Sequence, residues 1–289
     1  MANAWDRRGF LGVSAASLSA AAMGAAVSQE DRTLILLWIA GGMAATETFD
    51  PKEFTPYRAG LETRRMLTTV PSIETAVRGV RIARGMENIA GVLDRGTLIR
   101  SFVPGDLGAL SHTQYQQRWL ELAAEAGELR AVQSLDFAAG CTEALELASR
   151  AERGARTILV PFPAKPFAAW DTHDFGSART TELKKQIDAP VANLVLELER
   201  RGLWERTRVV LASEFSRAPD VERGAAVRNE KEYGLHAHFG GSASVLLFGG
   251  DFDRGRVIGQ TAETHPAVVV REPLDFHALR ARILSSRRT

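Results

Sequence analysis

Apolar positions in this chain fall into short continuous runs separated by longer stretches of helical period. Thr33-Leu-Ile-Leu-Leu-Trp-Ile-Ala40 is closed by Gly41-Gly42, and Gly96-Thr-Leu-Ile-Arg-Ser-Phe-Val103 is stopped by Pro104-Gly105. Thr157-Ile-Leu-Val-Pro161, Thr207-Arg-Val-Val-Leu-Ala-Ser213 and Ser242-Ala-Ser-Val-Leu-Leu-Phe248 have the same form. Such runs, bounded by turn formers, fit strands covered on both faces, as in a parallel sheet. Between them, His112 to Gly127, Ala138 to Arg153, Ala178 to Arg201 and Leu274 to Leu284 read as helices, with Gly202 placed to cap the third. Residues 52–90 are mixed and rich in turns. Strands alternating with helices predict α/β layers around one mostly parallel sheet, built from strands near 33–40, 97–103, 156–160, 207–213 and 243–248. There is no internal repeat and no long linker.

Polar clusters follow several of these runs, and in open α/β sheets chemistry collects at the carboxyl ends of strands. The first cluster is the 41–50 loop, with Thr46-Glu-Thr-Phe-Asp50. The second is Trp170-Asp-Thr-His173, and the third joins Glu214 to His236 and His238. In extended backbone, residues two apart project to one side, so Asp171 with His173, and His236 with His238, have the spacing to face one point. Two carboxylates and three imidazoles are a sufficient donor set for a divalent metal ion. Such an ion lowers the pKa of bound water or polarises a phosphoryl, sulfuryl or carbonyl group. Taken singly, each of these residues has an ordinary structural reading as a loop cap or rim histidine. Their convergence from separate strand ends carries the argument.

Composition narrows the rest. At 289 residues, 45% hydrophobic and 25% charged, the chain has enough material for a core without disulfide staples. A net charge of +1 gives no bias towards nucleic acid. The one cysteine, Cys141, sits in an apolar helical pattern and reads as a buried inert thiol. His265 and His277 read as structural. No phosphate-loop or nucleophile-elbow motif occurs. Arg7-Arg8 precede a soft Ala/Ser/Gly run from Leu11 to Val27. At about 17 residues it is short of the roughly 20 a spanning helix wants, so it reads as a removable twin-arginine export signal over 1–27, not a stable membrane span. The expected destination is the periplasm, with one domain over 28–289.

These blocks resemble the exported sulfatase-like family catalogued as domain of unknown function fifteen-oh-one, within the alkaline phosphatase superfamily. The matching segments are Arg7-Arg-Gly-Phe-Leu11, Leu36 to Lys52, Ile99-Arg-Ser-Phe, Asp106-Leu-Gly around His112, and Trp170-Asp-Thr-His173. They continue in Ser213-Glu-Phe-Ser-Arg217, Tyr233-Gly-Leu-His-Ala-His-Phe239 and Ser244-Val-Leu-Leu-Phe-Gly-Gly250. The resemblance implies a three-layer α/β/α sandwich of alkaline phosphatase type. It also implies a strand-end site that in the superfamily holds two metal ions and a Ser, Thr or Cys nucleophile attacking phosphate or sulfate esters. The first expectation is then that Asp171, His173, Glu214, His236 and His238 hold metal, with His112 nearby as acid/base or behind the ligands. The metal would be zinc, manganese, iron or calcium, and the substrate a small-molecule or polysaccharide ester. Two departures stand out. Ala40 occupies the position where the superfamily places a metal-binding Asp, and the region after His112 is shortened where a nucleophile is expected, with Tyr115 in place of a second His. Thr46 and Ser111 are the substitutes at hand. The alternative expectation is a catalytically silent relative that keeps the fold to bind a ligand or partner in the cell envelope.

Overall fold

The computed structural model describes residues 32–105, 112–150, 154–162, 169–173, 175–219 and 236–285. The proposed export signal and Ser111 lie outside them, as does the side chain of His236. The strands are β1 (Thr33–Trp38), a small β2–β3 hairpin (Ser72–Glu74, Arg81–Ala83), β4 (Gly96–Phe102), β5 (Glu128–Ala131) and β6 (Arg156–Pro161). They continue with β7 (Thr207–Ala212), β8 (Ser216–Pro219), β9 (His236–Phe239), β10 (Ala243–Gly249), β11 (Arg256–Ile258), and the pair β12 (Gln260–Thr261) and β13 (Val269–Arg271). The helices are α1 (Glu87–Val92), α2 (His112–Ala126), α3 (Phe137–Ser149), α4 (Gly176–Arg200) and α5 (Phe276–Leu284).

Seven strands form the central sheet in the order β11-β4-β10-β7-β1-β6-β5. β7, β1, β6 and β5 run parallel to one another, and β10 alone is antiparallel to both its neighbours, β7 and β4. The sheet is therefore mostly parallel, as the apolar runs predict, and β7 and β10 lie side by side in it. All six residues of β1 are buried. The period of two, carried on through Ile39, divides the core: Ile35, Leu37 and Ile39 pack with α1, α3 and α4, while Leu34, Leu36 and Trp38 pack with α2 and α5. Each fully buried aliphatic side chain contributes about 1.5–3 kcal/mol. These two cores give the three-layer α/β/α sandwich.

Cys141 is buried in α3, and burial pushes its thiol up to about 12, which keeps it an inert core residue. No helix among the described residues is long and apolar enough to cross a membrane.

The strand order matters for function. β1 sits between β7 and β6, in register with both, so the segments leaving their carboxyl ends emerge side by side. Those segments are Ile39 to Thr48, Ser213 to Arg217, and residues 169–173. This is the edge where the sequence places its polar clusters.

Candidate metal centre

Two glycines let the first segment close onto its neighbours. Gly41 has φ +123°, and a Cβ there would lie 2.2 Å from the Asp171 backbone nitrogen. Gly42, at φ +93°, would place a Cβ 2.7 Å from the Phe215 ring. Only glycine permits both the left-handed backbone and the contact. The second segment satisfies the amides of the first. Gly42 and Met43 N–H donate to Ser213 Oγ at 3.2 and 3.1 Å, Ala45 N–H to Ser216 Oγ at 2.9 Å, and Gly41 N–H to Glu214 Oε1 at 2.7 Å. Buried backbone donors must find acceptors, and here Ser213, Glu214 and Ser216 supply them.

The third segment is held from below by Trp170, fully buried and packed edge-on to Phe162. It is held from the side by Arg179 in the first turn of α4, whose guanidinium donates to the carbonyls of Asp171 and Ala169 at 3.4 and 3.2 Å. Asp171 is thereby presented at the sheet edge. Arg217 on β8 is 1% exposed; its Nε donates to the Gly41 carbonyl at 2.9 Å, and its Nη2 is ion-paired with Asp171.

Around Asp171 three histidines gather. Its Oδ1 is 3.1 Å from His173 Nε2, 3.7 Å from His112 Nε2 and 3.9 Å from His238 Nε2. His112 and His238 face each other with Nε2 atoms 3.1 Å apart and rings nearly perpendicular. Phe215 packs beneath both, at ring centroid distances of 4.8 and 4.6 Å. His112 begins α2, and its Nδ1 is 2.7 Å from Glu214 Oε1. His238 stands opposite Arg217 in the β8–β9 pairing. Burial pushes the Asp171 carboxyl up, but His238 and the charges of Arg217, His112 and His173 outweigh it and hold the group well below the usual carboxylate range. Burial pushes the Arg217 guanidinium down against the pull of Asp171 and Glu214, yet a guanidinium stays charged.

His112, Asp171 and His238 offer three ligand atoms within 4.8 Å of one another. Bonds of about 2.1 Å to a tetrahedral ion put neighbouring donors roughly 3.4 Å apart. The observed separations of 3.1, 3.7 and 3.9 Å bracket that edge, so the donor set fits a divalent ion. Of the residues expected from sequence, Asp171, His173 and His238 meet here, and His112 stands among them as a donor. Glu214 is also present, 2% exposed and turned towards Gly41 and His112. His236 opens β9 opposite Pro219, with its side chain outside the described set.

Thr46 lies nearby, half-buried in a small cleft it shares with Ser216, Arg217 and His265. The residue the sequence reading passed over is Arg217. It stands inside a quoted block, but nothing in a sequence marks one strand arginine as buried.

Comparison with known proteins places these blocks in context. The family profile described as "Protein of unknown function (DUF1501)" matches residues 110–287, more than half of the chain. No curated protein sequence matches. Among solved structures, an inactive variant of murine ectonucleotide pyrophosphatase/phosphodiesterase 5 in complex with AMP is similar at 11% identity. That match covers 88% of this chain and 95% of the other, with a TM-score of 0.41. The lipoteichoic acid synthase LtaP of Listeria monocytogenes is similar at 9% identity over 79% of this chain and 68% of its own, with a TM-score of 0.39. The C-terminal periplasmic domain of EcEptC from Escherichia coli is similar at 11% identity over 78% and 74%, with a TM-score of 0.37.

Proposed function

The chain belongs to the DUF1501 family of proteins of unknown function, and from that premise we propose that it is an exported, metal-binding hydrolase-like protein acting on phosphate or sulfate esters. The observation that carries the reading is the meeting of His112 Nε2, Asp171 Oδ1 and His238 Nε2 at separations suited to one divalent ion. His173, against the same Asp171 oxygen, is the further donor at hand. A bound ion would supply Lewis acidity towards an ester oxygen and a lowered pKa for water. The chain's own residues do the rest. Arg217, buried and bound to the Gly41 carbonyl, holds Asp171 in place and sets a fixed positive charge behind it. Phe215 backs the imidazoles and keeps water from that side. Export through residues 1–27, a periplasmic site of action and a small-molecule or polysaccharide ester as substrate belong to the same proposal.

One observation favours a second reading, a catalytically silent binder in the envelope. Among the described residues, the hydroxyls of Ser213 and Ser216 accept from backbone N–H groups of the 41–45 loop, and that of Ser213 also donates to the Ile39 carbonyl at 2.7 Å, which commits both to holding the loop. The test is turnover. Protein loaded separately with zinc, manganese, iron or calcium is assayed on p-nitrophenyl phosphate, bis(p-nitrophenyl) phosphate and p-nitrophenyl sulfate. The hydrolase reading predicts metal-dependent release of nitrophenol that is lost in Asp171→Asn. Metal bound without turnover of any ester gives the case to the silent binder.

A further inference from the structure

The two carboxylates of the centre are placed differently. Asp171 is 31% exposed at its side chain and directs Oδ1, which also pairs with Arg217 Nη2, at three imidazoles. Glu214 has both oxygens engaged: Oε1 accepts from Gly41 N–H at 2.7 Å and meets His112 Nδ1 at 2.7 Å, and Oε2 lies 3.0 Å from Ser213 Oγ. Its side chain is 2% exposed.

We infer that Glu214 does not ligate the metal but positions His112, fixing it as the Nδ1–H tautomer so that Nε2 is the atom offered to the ion. Three facts lead there. The Nδ1–Oε1 separation of 2.7 Å is that of a charge-assisted hydrogen bond. It is too short for two ligands of one ion, which stand roughly 3.0 Å apart even in an octahedral site with bonds of about 2.1 Å. A carboxylate accepts only, so the shared proton sits on Nδ1 and the lone pair of His112 is left on Nε2. That Nε2 points to where Asp171 Oδ1 and His238 Nε2 converge, at 3.7 and 3.1 Å. A carboxylate behind a ligating histidine sets ring orientation and raises its basicity, and losing it costs about 10–100-fold in metal affinity without emptying the site. Glu214 also ties His112 to the β1 end through Gly41, so α2 and the sheet edge share one anchor.

This inference rests on the metal reading above, and its test has two arms that separate the failures. In the first, Co²⁺ uptake is measured by competition with a chromophoric chelator for wild type, Glu214→Gln and His112→Ala. The glutamine still accepts from Gly41 and His112 through its oxygen. We expect Glu214→Gln to bind Co²⁺ about 10–100-fold more weakly with an unchanged visible spectrum, and His112→Ala to lose the ion. Abolished binding in folded Glu214→Gln, or a spectrum of altered coordination, overturns the proposal, because a ligand would then have been removed. The second arm uses metal-free wild type alone, recording the imidazole ¹⁵N shifts of His112. A protonated Nδ1 and unprotonated Nε2 support the inference, and the opposite tautomer overturns it. If wild type takes up no Co²⁺, the metal reading falls and the ¹⁵N shifts decide the role of Glu214.

Discussion

Two of the regions that bury charge do so to different ends. One is the centre at the carboxyl ends of β1, β6 and β7. The other is a seam where α4 meets the 47–48 turn and α1, holding Glu47, Lys184 and Asp188, each at most 5% exposed. In the seam every charge is closed off by partners. Glu47 accepts from Thr69 N–H and Oγ1–H, both at 2.8 Å, and Lys184 Nζ donates to the Arg84 carbonyl at 2.8 Å. Asp188 accepts from Asn88 N–H, Asn88 Nδ2–H and Ile89 N–H at 3.0, 2.7 and 2.8 Å. These are charges used as joints, fastening the α1 segment and the loop to α4. At the centre the arrangement is reversed, since imidazole nitrogens and a carboxylate oxygen face one another and the rim is partly open. His173 is 47% exposed at its side chain and His238 33%. Burial of charge is therefore no mark of a site by itself. Donor atoms that converge on one another at a partly open rim are, even though Arg217 also pairs with the Asp171 oxygen.

The sharpest way to break this contrast is Gly41→Ala. The new Cβ would collide with the backbone of Trp170 and Asp171, at 2.5 and 2.2 Å, where no flexible side chain can yield. Adding the left-handed backbone, the cost is about 3 kcal/mol. Urea unfolding is expected to show that loss together with loss of metal binding, because the same contact seats Asp171. A variant of full stability, or one that binds metal as wild type does, would detach Gly41 from the centre.

A smaller effect is expected in the seam. Burial pushes the Lys184 amine down to about 8 against the pull of Glu47 and Glu87. The folded pKa lies below the unfolded value of about 10.4, so between the two the unfolded chain binds more protons and stability rises with pH. Measured against Lys184→Met, wild type should gain stability as pH goes from about 8 to about 10.4, with little change between pH 6 and 7. Metal binding should be untouched by the substitution. A stability difference that is flat across that window, or metal lost with Lys184, would erase the distinction between the two regions.

How far all this could be read in advance follows from the physics of each element. β1, β4, β6, β7 and β10 were legible because both faces are covered, which writes an unbroken apolar run. β5 and β11 were not. Glu128-Leu-Arg-Ala131 and Arg256-Val-Ile258 lie at the sheet edges, where exposure permits charge and leaves no run to see. The reversed direction of β10 is a property of the path between strands and has no residue signature. At the centre, Asp171, His173 and His238 stood out as titratable residues in polar clusters beside the apolar runs, two apart from a second donor. His112 was legible as a neighbour but not as a donor, since its approach depends on where α2 docks. Arg217 and the seam were silent for the same reason: pairing across more than twenty residues is decided by packing.

The central claim is that His112, Asp171 and His238 share one ion. Elemental analysis of wild type and of the His112→Ala, His238→Ala double variant, each dialysed against the same trace metals, tests it most directly. The account predicts close to one equivalent of divalent metal in the wild type and almost none in the double variant, with both chains folded. Equal metal in the two, or none in the wild type under every metal tried, would contradict it.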